Sequence, residues 1–372
     1  MSKVVKSYKY KLKTTKEQEF KFNSWLNTTR LIYNMSKMVS EFNYQSTGRT
    51  LSGFDLQKQI IDMKKDFDWM KELPKDTLTE PSFRFEKSMK KFFNKTAKYP
   101  KWAKKKFWNS LVFQQTSNVL RIQNNKIKLQ KEVYLRFFNS RNLPQDAKIK
   151  QIIIVKEVDG WYASIMFETE LQNIKPANDN QVVGIDWGVV NFLTLSDGKQ
   201  IENPRWFSQY KDKLKLEQQK LAVKKKGSLA YKRQAVKLSE LHKHIARKRL
   251  DWQHKLTSEL VKEYSGFVVE DLNIEKMSKK GIGKRVLNRE ILSTAPSQFM
   301  ILLEYKSRWN CRYFNKINPS YTSQTCSKCE HVDKENRKTQ ANFCCTKCGH
   351  TESADLNAAK VIKGRDTAIS KN

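Results

Sequence analysis

Cys326, Cys329, Cys345 and Cys348 constrain this chain more than any other feature. Their C-x2-C-x15-C-x2-C spacing lies in the range that presents four thiolates to one tetrahedral zinc ion. A disulfide framework is the alternative reading. Against it, the residues after Met1 include Lys3, Lys6, Lys9, Lys11 and Lys13 without the apolar run of a secretory signal. The chain is therefore expected inside the cell, where thiols stay reduced, and one structural zinc ion is expected with it. Cys344 adjoins Cys345 but breaks the CxxC turn to Cys348. Cys311 stands apart and reads as a small buried hydrophobe. His331 and His350 each follow a CxxC pair and read as exposed turn residues, with hydrogen-bond donation to the metal-bound cysteines as the alternative.

A ribbon of this kind staples a fold and says little about chemistry; charge says more. The chain has 72 Lys+Arg against 38 Asp+Glu, a formal net charge of +34, which implies a polyanionic partner. No stretch approaches the run of about 18 apolar residues that a membrane helix needs, so nucleic acid is favoured over a membrane. At 372 residues and 38% apolar content the chain can bury real cores in two or three domains. From Lys87 to Trp108 there are nine lysines and no acid, interleaved with aromatic residues. Lys101, Trp102, Lys104, Lys105 and Lys106 are the nucleic-acid-contact candidates there, through phosphate neutralisation and base stacking. From Lys211 to Leu250, 14 Lys+Arg stand against three acids on a helical pattern that reads as one long phosphate-lining helix.

Alternation of Tyr8, Tyr10 and Leu12 with lysines predicts a strand, and Thr14 with Glu17 predicts a capping box opening a helix to about Tyr44. Further helices are predicted over Asp55 to Leu73 and Ser82 to Ala97, broken by Pro74 and Pro81. Short strands are predicted at Ser110–Gln114, Val119–Ile122, Lys126–Gln130, Ile149–Val155 and Trp161–Phe167. The order implies a β-barrel whose first strand is separated from the rest by inserted helices. After a polar linker, Ile174 to Gln181, "VVGIDWGVVNFLTLSDG" reads as an apolar strand carrying Asp186, then a second strand closed at Asp197-Gly198. "SGFVVEDLNI" is another apolar strand ending in Glu270 and Asp271, and Asp355 opens the helical "ADLNAAKVI". An unpaired buried carboxylate is costly, so such acids need a cation or a partner. Two strand acids and one helix-start acid, with hairpin strands first, describe an RNase H type of nuclease core. There carboxylates hold two Mg²⁺ ions that activate water and stabilise the leaving oxygen. Salt-bridged strand ends and an ordinary N-cap are the bland alternatives. Asp271 rivals Glu270, but neighbouring strand residues face opposite ways, so one of the two is expected at the metals.

The motifs "GIDWG", "VVEDLN", "LEYKSRW", "YTSQTCSKC" and "CCTKCGHTESADLNAAKVI" together resemble the TnpB-type nucleases of bacterial insertion sequences, relatives of the type V CRISPR effectors. They are dense from Val182 to Ile362, while "YKYKLKTTKEQE" and "LIYN" match more loosely. The resemblance implies a RuvC-type (RNase H-like) α/β nuclease core at 180–320 and 351–365 with catalytic Asp186, Glu270 and Asp355. It also implies a zinc ribbon at 321–350, a wedge-type β-barrel at 1–12 and 98–175, an inserted helical recognition domain at 13–97, and a tail at 366–372. The implied activity is Mg²⁺-dependent cleavage of target DNA beside a short flanking motif, directed by a guide RNA from the transposon end, in the cytoplasm at the nucleoid. A guide-free, structure-selective nuclease, a non-cleaving RNA-guided binder or repressor, and a strand-transferring transposase are the alternatives. Two positions depart from the family pattern: Glu330 and Cys311 stand where glycine is common.

Overall fold

The computed structural model describes residues 3–114, 120–130, 133–171, 175–274, 285–337, 339 and 341–366. Two compact units divide the chain, residues 1–170 and 171–372.

In the first unit, β1 (Lys3–Lys13) leads into α1 (Lys16–Thr47), α2 (Gly53–Asp66), α3 (Asp68–Lys71) and α4 (Lys75–Phe93). Strands β2 (Ser110–Gln114), β3 (Arg121–Gln123), β4 (Lys126–Gln130), β5 (Val133–Phe137), β6 (Lys148–Glu157) and β7 (Gly160–Glu170) follow. They form one sheet in the order β2-β6-β7-β1-β5-β4-β3. β1 joins its two halves, pairing β7 over Lys3 to Lys11 and β5 at Leu12 and Lys13. Apolar residues at helical spacing on α1, Phe22, Trp25, Leu26 and Ile32, are buried in the same core as Trp161 and Phe167 of β7. The rings of Phe22 and Trp161 lie 5.2 Å apart.

The helix signals needed correction in detail. The capping box is Thr15 with Gln18, one residue later than expected. Thr14 instead donates to Glu19 at 2.6 Å. Pro74 is the N-cap of α4, but Pro81 lies inside that helix. It is buried with Leu78, Ser82 and Phe85, so packing outweighs the hydrogen bond that proline forfeits. The predicted 55–73 helix is two, α2 and α3, divided at Phe67, whose extended backbone caps the first and opens the second. The expected strand at Val119–Ile122 falls partly outside the described residues.

In the second unit, β8 (Asn178–Trp187), β9 (Asn191–Leu195) and β10 (Gln200–Glu202) precede α5 (Trp206–Gln209), α6 (Lys211–Ala222) and α7 (Leu229–Glu263). β11 (Tyr264–Glu270), α8 (Arg285–Thr294), α9 (Pro296–Trp309) and β12 (Tyr313–Ile317) come next. The sheet order is β10-β9-β8-β11-β12, antiparallel through β10, β9 and β8 and parallel from β8 to β11 and β12. The predicted single helix over 211–250 is a hairpin of α6 and α7. It turns at Gly227, whose φ of +90° suits glycine. Leu214 of α6 packs with Leu241 and Ile245 of α7. β8 and β11 are covered on both faces, hence their continuous apolar runs. Val183, Ile185, Phe267 and Val269 pack with Leu256 and Leu260 of α7 and Phe299 and Leu303 of α9. On the other face, Val182 and Val268 meet Ile362 of the last helix, α10 (Ala354–Gly364). Between β12 and α10 lies a small ribbon with β13 (Asn342–Cys344) paired to β14 (Thr351–Ser353).

Candidate active site and its cysteine ribbon

Register brings two of the predicted acids together. β8 and β11 pair in parallel with Gly184 beside Val268 and Ile185 beside Val269; one step further sets Asp186 beside Glu270, on the same face. That face is the one α10 covers. A Cβ on Gly184 would meet the Ala359 carbonyl at 2.1 Å and the Lys363 amide nitrogen at 2.6 Å, so the helix backbone rests directly on β8. Asp186 lies two residues beyond Gly184 on that strand face, and Asp355 lies one helical turn before Ala359, facing the same side. The third acid is thereby turned towards the other two. Ser353 is the N-cap of α10, and Asp355 lies in its first turn, so the acid is not the cap.

Electrostatics carry the same message. Burial, and then the charges of Glu270 and Asp355, hold the Asp186 carboxyl well above the usual range, with Arg337 opposing them. Burial also raises Glu270, against a hydrogen bond from Thr322 and the charge of Arg365. Asp271 is exposed, and its amide donates to the Ile317 carbonyl at 2.9 Å. Of the adjacent pair, Glu270 is the one on the Asp186 face.

Two further residues join the site that the sequence alone did not single out. Thr322, buried, donates its hydroxyl to Glu270 Oε1. Arg337, from the ribbon, lies 3.5 Å from Asp355 Oδ1. The signal for Thr322 was present in "YTSQTCSKC", just before the first cysteine. No local pattern marked Arg337.

The ribbon fits a metal. The four Sγ atoms of Cys326, Cys329, Cys345 and Cys348 lie within 4.8 Å of one another, with Cys326 to Cys348 at 3.7 Å and Cys329 to Cys345 at 3.6 Å. A tetrahedron of Zn–S bonds near 2.3 Å has edges of about 3.8 Å. Each pair sits on a matching turn: Cys326 N–H donates to His331 O and Cys345 N–H to His350 O, both at 2.9 Å. The thiols titrate as a group. Against a desolvation that raises it, Cys345 is drawn down to about 6 by the amides of Cys348 and Lys347. Cys329, against a hydrogen bond from the His331 amide, is pushed up to about 12 by burial and by the proton it shares with the other cysteines of the cluster. Cys344 and Cys311 are exposed, so the small-hydrophobe reading of Cys311 is corrected. Its φ is +54°, and that of Glu330 is +60°, which explains why glycine suits both places. In the second turn Gly349 holds the matching conformation, φ +69°.

Buried Asn357 ties the ribbon to α10. Its amide donates to Thr325 O at 2.8 Å, and its Oδ1 accepts from Ser327 N at 2.9 Å. Asn336, also buried, braces the ribbon from within, donating to Gln324 O at 2.8 Å and accepting from Thr346 N at 2.9 Å.

In the first unit, Lys101, Lys104, Lys105 and Lys106 are exposed and Trp102 is 51% exposed. Their segment is strapped to α1 by Asn34, which accepts from Ala103 N at 2.8 Å. Trp102 rests on Lys37, whose Nζ lies 4.9 Å from the ring. Trp108 is structural instead: its Nε1 donates to Thr29 at 2.9 Å.

Fold and site define a class of α/β proteins in which a four-cysteine ribbon stands between the second and third of three converging acids. Residues 164–281 match the OrfB_IS605 family, described as a probable transposase. Residues 297–362 match the TNB domain of Cas12f1-like proteins. Residues 1–49 match a family described as a helix-turn-helix domain, though here they form β1 and the single helix α1. Over 381 residues the chain is 30% identical to the putative RNA-guided DNA endonuclease InsQ of Escherichia coli (strain K12), covering 99% of this chain and 94% of that protein. It is 27% identical to a putative RNA-guided DNA endonuclease of Streptomyces pristinaespiralis, covering 100% and 91%. The solved Cas12f1-sgRNA-target DNA complex has a similar fold, with a TM-score of 0.62 at 15% identity over 94% of this chain and 83% of that one. The chain belongs to the OrfB/IS605 family, the TnpB-type relatives of the type V CRISPR effectors.

Proposed function

We propose that this protein is an RNA-guided DNA endonuclease of an insertion sequence, cutting target DNA beside a short flanking motif. The observation that carries the proposal is the convergence of Asp186, Glu270 and Asp355, from two adjacent parallel strands and the helix above them, with mutual repulsion that a cation relieves. Strand order and acid placement support a RuvC-type (RNase H-like) core at 180–320 and 351–365. The first unit supports a wedge-type barrel formed by 1–12 and 98–175, with 13–97 as an inserted recognition domain.

Asp186, Glu270 and Asp355 are the residues that would hold Mg²⁺. Two such ions, when bound, supply water activation and leaving-oxygen stabilisation. Thr322 orients Glu270, and Arg337 offers a cation beside Asp355. Cys326, Cys329, Cys345 and Cys348 would hold one structural zinc, keeping the ribbon folded and its arginine in place. Lys101, Trp102, Lys104, Lys105 and Lys106 are proposed contacts to nucleic acid. The partners are then a guide RNA from the transposon end and the target DNA, whose heteroduplex the protein would grip by its backbone.

The test is to sequence RNA that copurifies with the protein and to assay Mg²⁺-dependent cleavage of a matching DNA. One discrete structured RNA with a variable 3′ guide, and cleavage that follows that guide, is expected. Random RNA fragments with undirected cleavage would reject it.

A further inference from the structure

One face of the first unit's sheet is charged in a way that folding alone does not favour. Along β5, Val133, Leu135 and Phe137 point inward while Tyr134, Arg136 and Phe138 are exposed. Arg136 stands directly opposite Lys13 of β1 on one side and Lys126 of β4 on the other. Arg121 of β3 stands opposite Lys128 of β4. Like charges placed directly across a sheet are destabilising. Two exposed rings accompany them: Lys13 lies 4.4 Å over the Phe138 ring and Lys128 lies 5.7 Å over the Tyr134 ring. A row of cations across three strands matches a chain of phosphates, which would relieve the repulsion.

At the end of the same hairpin lies a cleft of 320 Å³, at the low end of ligand pockets, about 300–1,000 Å³. Among the described residues twelve line it, and of these Arg141 alone is charged. In a chain that is 30% charged, twelve positions would ordinarily carry about three or four charges. Instead Gln123, Asn124, Asn125 and Asn139 bring four side-chain amides, above apolar walls that include Phe137. Asn124 and Asn125 turn the hairpin with φ of +50° and +58°. The Arg141 guanidinium lies 4.7 Å from the Tyr8 ring, and its carbonyl accepts from the Tyr10 hydroxyl at 2.8 Å, so the rim is braced from below.

An anion would call for several cations in the cleft, and an alkyl group would not call for amides. Amides present a donor and an acceptor side by side, as do the Watson–Crick edges of unpaired bases, while apolar walls cover a base's flat face. We infer that this cleft takes one unpaired base of the bound RNA, the strand then crossing the Asn124–Asn125 turn so that phosphates further along lie on the row formed by Lys13, Arg136 and Lys126 on the sheet's outer face. RNA is favoured over DNA as the source because unpaired, splayed bases are the usual basis of RNA recognition. The inference rests on the RNA-guided reading for the identity of the RNA, but not for its presence in the cleft.

Ultraviolet crosslinking of the full-length protein with whatever RNA copurifies, followed by mass spectrometry of nucleotide–peptide adducts, tests it. Adducts are expected on the 120–143 segment. Asn124→Gly keeps the turn's positive φ and removes one amide, and Asn139→Ala removes another. Each should lower adduct yield by about fivefold, the effect of losing one hydrogen-bonding group, with an unchanged melting temperature. Arg136→Gln should reduce the salt slope of RNA binding by about one. Adducts confined to other segments, adducts to DNA in place of RNA, or a yield indifferent to both amide variants would overturn the inference. Whether the crosslinked RNA is one discrete species decides the guided reading separately.

Discussion

The Arg337 guanidinium lies 3.5 Å from Asp355 Oδ1, so a residue of the ribbon reaches the acid that opens the helix beyond it. The ribbon is thereby more than an appendage: Asn357 clasps its first turn, and Thr322 at its root holds Glu270. Cys326→Ser and Cys345→Ser should each lower bound zinc, because a hydroxyl is a poor substitute for a thiolate ligand. Each should also slow DNA cleavage at least tenfold, the order seen when a metal's supporting residues are lost. Cys344→Ser should leave zinc and cleavage near wild type. Metal analysis with the opposite pattern, zinc lost in Cys344→Ser and kept in Cys345→Ser, would refute the ligand assignment.

The helix that carries Asp355 is positioned by the absence of a side chain. Adding a methyl at Gly184 meets backbone at 2.1 and 2.6 Å, which no rotamer change can relieve. Gly184→Ala should cost about 1–3 kcal/mol or more of stability and displace Asp355 from Asp186. Cleavage should fall while zinc content is kept. A Gly184→Ala protein with wild-type melting temperature and activity would show that α10 does not rest on β8 as described.

Much of the candidate site was legible in the sequence, for a physical reason. A carboxylate in an apolar strand such as "VVGIDW" or "GFVVE" is conspicuous because burial is costly, and CxxC pairs have a fixed geometry. Asp186, Glu270 and the four cysteines could therefore be picked out locally. Arg337 could not, since its role depends on how the ribbon folds back, and one arginine among 72 Lys+Arg carries no local mark. The misplaced helix boundaries have the same origin. Pro81 reads as a breaker until the packing of its helix is known, and the break at Gly227 was hidden by unbroken basic character on both sides. β5 and β12 went unread; Val133–Phe137 follows β4 closely, and Tyr313–Ile317 lacks the period-two alternation of a half-buried strand, Asn315 and Lys316 standing side by side.

Two strained positions invite stabilisation. Glu330 and Cys311 hold φ of +60° and +54°, where a side chain costs about 1 kcal/mol relative to glycine. Glu330→Gly and Cys311→Gly should each stabilise the protein by up to about 0.5 kcal/mol, the glycine's greater freedom when unfolded offsetting much of the relief. Thermal melts of the zinc-loaded protein measure this. A drop in stability in either variant would contradict the strain argument.

Burial and the charges of Glu270 and Asp355 raise Asp186 above the ordinary carboxylate range, so without metal the folded protein keeps a proton that the unfolded chain gives up. The native state then binds more protons, and stability falls as pH rises from about 3.9, the unfolded value, through the raised one. In chelator, Asp186→Asn should be more stable than wild type near neutral pH, with the difference shrinking towards pH about 4. Mg²⁺ should reverse the order by stabilising the wild type, by about 2.7 kcal/mol at a hundredfold excess over Kd, and the variant less. Melts in chelator with no difference in pH dependence would count against the buried-acid account.

Chemistry and binding should separate at the acids. Asp186→Ala removes a carboxylate beside Glu270 and leaves every lysine and arginine of the chain in place. RNA and target DNA should therefore stay bound through phosphate contacts elsewhere. Loss of about 4 kcal/mol or more of transition-state stabilisation slows cleavage by roughly a thousandfold or more. Glu270→Ala and Asp355→Ala should behave alike, and combining them should add little, because groups that act as one unit are not additive. Asp271→Ala is the control: its side chain is exposed and off the Asp186 face, so most activity should remain. Cleavage and binding measured in parallel on the four single variants decide the matter. Cleavage by Asp186→Ala at the wild-type rate would remove it from the chemistry, and loss of target binding by a folded Asp186→Ala protein would refute the separation.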